Sequence, residues 1–144
     1  MTVNEDTGCL LIPEIGTSIT AFLSRSQFLR TPAFSGARVL VQNEPHCSYS
    51  LPGIQQADTK VVIVLQFRGE ELVSLSLFHD ATRFGSFWSD WSAERERARK
   101  LFHEHWLATE LRVPPGTYPW GGISSDYDDK GGFSSIKIRY AISG

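Results

Sequence analysis

Cysteine is scarce in this chain, charge of one sign is not in excess, and no long apolar run occurs. Cys9 and Cys47 are too few to make a disulfide scaffold and lack the spacing of metal ligands, so they read as reduced thiols, with a single Cys9–Cys47 bridge as the alternative. The 14 Lys and Arg residues are interspersed with 16 Asp and Glu, for a net charge of −2. That pattern argues against a nucleic-acid binder, which concentrates its basic residues in a stripe. No stretch approaches the roughly 18 apolar residues of a membrane-spanning helix. The start of the chain, Met1 to Gly16, has early acids and only Cys9-Leu10-Leu11-Ile12 as an apolar run, unlike a secretory signal. The expectation is a cytoplasmic protein with no membrane contact. Internal repeats, linkers and low-complexity segments are also missing. The 144 residues therefore read as a single α+β domain, 1–144, long enough for a core without disulfides or metal.

What is present is a sequence of helix and strand signals. Ser18 to Arg30 reads as a short helix: Ser18 can cap it, Ile19, Phe22 and Leu23 fall at i, i+3 and i+4, and Thr31-Pro32 stops it. Ala37 to Gln42 reads as a strand, and His46 to Thr59 as an irregular loop broken at Pro52-Gly53, with room for a short edge strand around Ser48 to Leu51. Val61 to Phe67 is the most apolar run and suggests a central strand. After the polar turn at Arg68-Gly69-Glu70-Glu71, Val73, Leu75 and Leu77 alternate with serines, which predicts a hairpin. Ala81 to Ser89 is an aromatic loop.

Ser92 to Leu111 predicts a long helix capped by Ser92, with Glu94 and Glu96 near its positive end. At about 100° per residue, Trp91, Ala98, Leu101, Phe102, His105, Ala108 and Thr109 gather on one face. That phase places His105 and Trp91 in the core and leaves His103 in solvent. Pro114-Pro115-Gly116 ends the helix. Thr117 to Ser124 can form a strand, interrupted or bulged at Gly121-Gly122, and Lys130-Gly131-Gly132 supplies a return turn. Ile136, Ile138, Tyr140 and Ile142 then alternate with polar or small residues. The fold expected is α+β: a single, mostly antiparallel sheet of four to six strands, with one long and one short helix packed mainly on one face.

Candidate chemistry is thin. In His103-Glu104-His105 the two imidazoles point about 200° apart on a helix and cannot share an ion. Asp126-x-Asp128-x-Lys130-Gly131 opens like a calcium loop, yet Lys130 and Lys137 stand where oxygen ligands belong. His46-Cys47 and His79-Asp80 do not form a recognised Cys-His-Asp set, and the glycines form no phosphate-binding motif. The sequence therefore predicts no enzyme, no cofactor and no metal. Candidate partner-binding residues are the acidic turn Asp126, Tyr127, Asp128 and Asp129, together with Trp88 and Trp120 in or beside loops. Aromatic anchors with charged neighbours are typical of protein interfaces.

The segments Trp88-Ser89-Asp90-Trp91-Ser92-Ala93-Glu94, His103-x-x-Trp106-Leu107, and Tyr118-x-Trp120-Gly121 to Ser125-x-Tyr127-Asp128-x-Lys130 carry a resemblance. Over residues from about 60 to 142 the chain resembles small bacterial immunity proteins encoded beside secreted antibacterial toxins. The resemblance implies a non-enzymatic protein that binds and neutralises a cognate toxin. A small-molecule binding module and a hydrolase are the alternatives.

Overall fold

The structure is a computed structural model that describes residues 1–84, 91–128 and 132–141. It corrects the expected fold class. Among the described residues strand dominates, in a sheet of eight strands plus a separate sheet of three, and only one helix is long.

The three-stranded sheet is built from β1 (Thr2–Val3), β2 (Leu10–Ile12) and β3 (Thr17–Ile19). The expected helix from Ser18 to Arg30 is largely replaced. Ile19 belongs to β3, and helix α1 (Arg25–Leu29) begins only after Ser24. Ser24 and Gln27 form a reciprocal capping box there, so the N-cap is six residues later than Ser18. Pro32 opens a second short helix, α2 (Pro32–Ser35), where its missing N–H costs nothing.

The large sheet comprises β4 (Arg38–Asn43), β5 (His46–Ser50), β6 (Ile54–Gln56), β7 (Thr59–Arg68), β8 (Glu71–Asp80), β9 (Gly116–Tyr118), β10 (Gly121–Asp128) and β11 (Phe133–Tyr140). Its order is β4-β5-β7-β8-β11-β10-β9, with β6 pairing a further part of β7. The β7–β8 hairpin forms as the alternation predicts, with a bulge between Gln66 and Phe67. The segment after His46 supplies two strands: β5 overlaps the short edge strand expected around Ser48 to Leu51 but lies between β4 and β7, and β6 replaces part of the expected loop. The stretch from Thr117 to Ser124, expected to be interrupted or bulged at Gly121-Gly122, is two strands, β9 and β10, turned at Pro119-Trp120. Gly121 has a φ of 151°, and a Cβ there would lie 1.8 Å from the Arg139 carbonyl oxygen, so only glycine fits.

One face of the large sheet is the core. Val61, Ile63, Leu65 and Phe67 of β7, Leu75 and Leu77 of β8, and Ile136 and Ile138 of β11 are buried there. Val3, Leu10, Ile12 and Ile19 from the small sheet and Phe28 from α1 join the same cluster. Phe28 packs its ring 5.3 Å from Tyr49 and 5.9 Å from Phe67. Helix α3 (Ala93–Trp106), continued by a wider π turn at Leu107–Leu111, contributes Trp106, Leu107 and Leu111. Ser92 caps α3 as expected, its hydroxyl accepting the Arg95 N–H at 3.1 Å.

The helix phase read from apolar residues is wrong. Leu101 is 67% exposed, and Trp91 and His105 are exposed as well. The inward face instead carries Glu96, Arg99, His103 and Trp106, with His103 fully buried.

Candidate functional site

The reason for that inverted face lies in the sheet. β8 and β11 pair only from Ser74–Arg139 to Leu77–Ile136. Beyond Leu77, β8 continues with β7 as far as Asp80, and before Ile136, β11 continues with β10 from Phe133. The two strands separate at His79 and Ser134, which deprives backbone donors of a ladder partner. A buried N–H must find an acceptor. Helix α3 provides them: His103 Nε2 accepts the His79 N–H at 3.1 Å, and Glu96 Oε2 accepts the Ser134 N–H at 2.9 Å. The Ser134 hydroxyl donates in return to the Glu96 carbonyl at 2.8 Å.

The rest of the gap is filled by charge and rings. Arg99 stands 3.5 Å from the Glu96 carboxylate, and its guanidinium lies 4.5 Å over the Phe133 ring. The His79 ring sits 4.8 Å from Phe102, 4.5 Å from Trp106 and 5.2 Å from His103. Both imidazoles are held neutral. Burial pushes His79 down to about 4, with Arg83 and Arg99 adding to the effect. Burial pushes His103 down to about 3, helped by His79 and Arg99. Neither nitrogen of the His79 ring, nor Nδ1 of His103, has a hydrogen-bond partner among the described residues. The accepting role of His103 Nε2 places its proton on Nδ1. Among the described residues no group of three or more His, Cys, Asp or Glu could hold a metal ion. The cluster joins helix to sheet.

The opposite face of the sheet is different. Along β7 the residues Val62, Val64 and Gln66 alternate with the core and are only half-buried, as are Ser76 and Phe78 of β8. Register places residues that face each other across strands on this same open side. One transverse row runs Thr117, Gly122, Arg139, Ser74, Gln66, Ser48 and Val41. The next runs Ser124, Lys137, Ser76, Val64 and Ser50. At one end of the face Phe78 and Phe133 meet edge to face at 4.9 Å, and Phe133 is 36% exposed. Asp80, Asp126 and Asp128 belong to the same end: Asp80 faces Lys60, Asp126 faces Ser135 and Asp128 faces Phe133.

The predicted partner-binding residues therefore divide. Asp126 and Asp128 are exposed on the open side, within β10 and not in a projecting turn. Asp126 accepts the Ser124 hydroxyl at 2.5 Å. Tyr127 lies between them on the opposite side, half-buried and paired with Ser134. Trp120 is buried: it is 8% exposed, stacks on Tyr118 at 5.1 Å and donates to the Glu5 carbonyl at 2.8 Å. It fixes the small sheet to the β9–β10 turn. Gly8 makes room for it, since a Cβ there would lie 2.5 Å from the indole. Trp88 and Asp129 lie outside the described residues.

Sequence reading missed Phe78, Phe133, Lys137 and Arg139. Their period-two alternation was the available signal, because in a strand it separates a core face from a second face. No helix among the described residues is long and apolar enough to cross a membrane. The chain matches no family model, and no curated protein or solved structure matches it.

Proposed function

We propose that this protein binds another protein in the cytoplasm, and that the partner is a cognate antibacterial toxin which it neutralises without catalysis of its own. The observation that carries the reading is the Phe78–Phe133 pair, half open to solvent, with Asp80, Asp126 and Asp128 at the same end of the open sheet face. Aromatic side chains that bury much area at little entropic cost, ringed by charge, have the make-up of an interface centre with its rim. They stand on paired strands, so binding orders little extra chain. The carboxylates suit a cationic toxin surface, such as the basic cleft of a nuclease, where they speed encounter and reject acidic partners. The resemblance to immunity proteins over residues from about 60 to 142 supports the same reading.

The test begins with the neighbouring gene: a toxin-like reading frame directly upstream supplies the candidate partner. Co-expression should protect cells from it, and the purified pair should associate. Asp126→Asn with Asp128→Asn should slow association by about 10-fold at low salt, with the difference shrinking as salt screens the charges. An absence of protection would overturn the toxin reading. Unchanged rates at both salt concentrations would remove the acidic end from the interface.

A further inference from the structure

The other end of the open face is cationic, and the acids do not balance it. Lys137 and Arg139 are two apart on β11, so both side chains leave the same side of the sheet about 6.7 Å apart along the strand. Neither forms an ion pair among the described residues. Arg139 makes one side-chain hydrogen bond, donating to the Ser124 hydroxyl at 3.4 Å. Lys137 is half-buried, and burial pushes its amine down, with Arg139 pushing the same way and Asp126 only partly opposing them. Two adjacent cations, one of them losing water with only Asp126 to offset the loss in part, carry an electrostatic cost. An anion would remove it.

The surroundings suit one. Lys137 is flanked across the strands by the hydroxyls of Ser76 and Ser124. Gln66 Oε1 accepts from Ser74 and, at 3.4 Å, from Ser76, which leaves its amide NH2 as a further donor. On the far side of Arg139 the sheet carries a trough. Gly122 pairs with both Arg139 and Thr117, so its missing side chain opens the row between them. The resulting cavity of about 640 Å³ is floored by Gly116, Gly121 and Gly122, is mostly apolar where Val73, Tyr118 and Ile123 line it, and has Thr117, Ser124 and Arg139 as its polar side chains. A Cβ on Gly122 would stand in it, 3.2 Å from the Gly116 carbonyl oxygen. The Thr117 hydroxyl offers a hydrogen bond and the apolar part of the lining a surface for the C–H faces of a polyhydroxylated ligand, and a guanidinium with an ammonium at one end takes a doubly charged group.

We propose that Lys137 and Arg139 bind the phosphate of a small sugar phosphate, and that the glycine-floored trough beside Arg139 holds its sugar. This assignment is independent of the toxin-binding reading, since it uses the cationic end of the face and needs no protein partner.

The experiment titrates the whole protein with ribose 5-phosphate, inorganic phosphate and ribose at matched ionic strength, following backbone amide and arginine Nε–H resonances by NMR. Ribose 5-phosphate should shift Gly122, Ser124 and the Arg139 side chain, and should bind at least 10-fold more tightly than phosphate. Ribose alone should shift nothing. Arg139→Gln and Lys137→Gln are exposed or half-exposed substitutions; each should weaken both phosphate ligands 10-fold or more. Gly122→Val should weaken the sugar phosphate and spare inorganic phosphate, and circular dichroism should report a folded chain in all variants. No saturable shift by either phosphate ligand, or the same affinity after Arg139→Gln, overturns the site. Equal affinity for phosphate and ribose 5-phosphate overturns the trough as the sugar's place.

Discussion

Between Thr59–Arg68 and Glu71–Asp80 the ladder of β7 and β8 runs the length of both strands with one bulge, whereas β8 and β11 share only four paired positions before they part. In the first region the backbone satisfies itself, and side chains are free to alternate between core and solvent. In the second, two strand N–H groups look away from the sheet, and the helix that covers them must present acceptors. The same fold thus asks for apolar residues above one pair of strands and polar ones above the other. Burying Glu96, Arg99 and His103 is the consequence, since an orphaned backbone donor costs about 1–3 kcal/mol.

The largest expected effect is at Glu96. Glu96→Leu removes the acceptor of the Ser134 N–H and takes the carboxylate from buried Arg99, so it should cost about 3–5 kcal/mol in urea unfolding. Ile63→Val, in the continuous ladder, should cost about 0.5–1.5 kcal/mol. If the two costs were alike, the gap would be held by packing and not by the carboxylate.

Acid sharpens the comparison next. The native state keeps His79 and His103 neutral, with values of about 4 and about 3, against 6.5 for an unhindered ring. The unfolded chain therefore binds protons first. The contribution is fully present above pH 6.5 and is lost as pH falls, down to about 4 for His79 and about 3 for His103. Each ring gives a slope of about 1.4 kcal/mol per pH unit within its window. Glu70, held low by the Ser26 backbone N–H, loses its share only below its ordinary value of 4.5, so the histidine window opens earlier. Urea unfolding between pH 7 and 5 should show the loss, and His79→Phe should remove about half of the slope. A stability independent of pH over that range would mean that the rings are not kept neutral.

This contrast also explains what could be read from the sequence. The β7–β8 hairpin, the Ser92 cap and the alternation along β11 were legible because each follows from local chemistry: period two, a hydroxyl at a helix start. The phase of α3 was not legible, because Ala98, Leu101 and Phe102 form a better apolar stripe than Glu96, Arg99 and His103, and only the distant parting of β8 from β11 reverses the choice. The N-terminal strands were hidden for a related reason. Leu10 and Ile12 are the two apolar ends of a three-residue strand whose partners, β1 of two residues and β3 of three, carry equally weak patterns. At the candidate interface, Asp126 and Asp128 stood out by charge, while Phe78 and Phe133 are separated by more than fifty positions and meet only across the parted strands.

The smallest effects fall on the outer side of the helix and decide its phase. His103→Ala removes the acceptor of the His79 N–H and leaves space beside the His79 ring, a loss of about 1–3 kcal/mol. His105→Ala and Leu101→Lys should each stay within about 0.5 kcal/mol of the parent, because both side chains face solvent. Leu101 is the stricter case of the two, since a lysine placed in a core would unfold a domain of this size. The same substitution on the observed phase replaces an exposed apolar surface by a helix-forming residue with a soluble head group. Thermal unfolding of the three variants side by side separates the two phases without any ligand or partner. A Leu101→Lys protein that melts well below the parent, while His103→Ala does not, would turn the helix back to its apolar stripe and leave the His79 and Ser134 donors without the acceptors that α3 is described as providing.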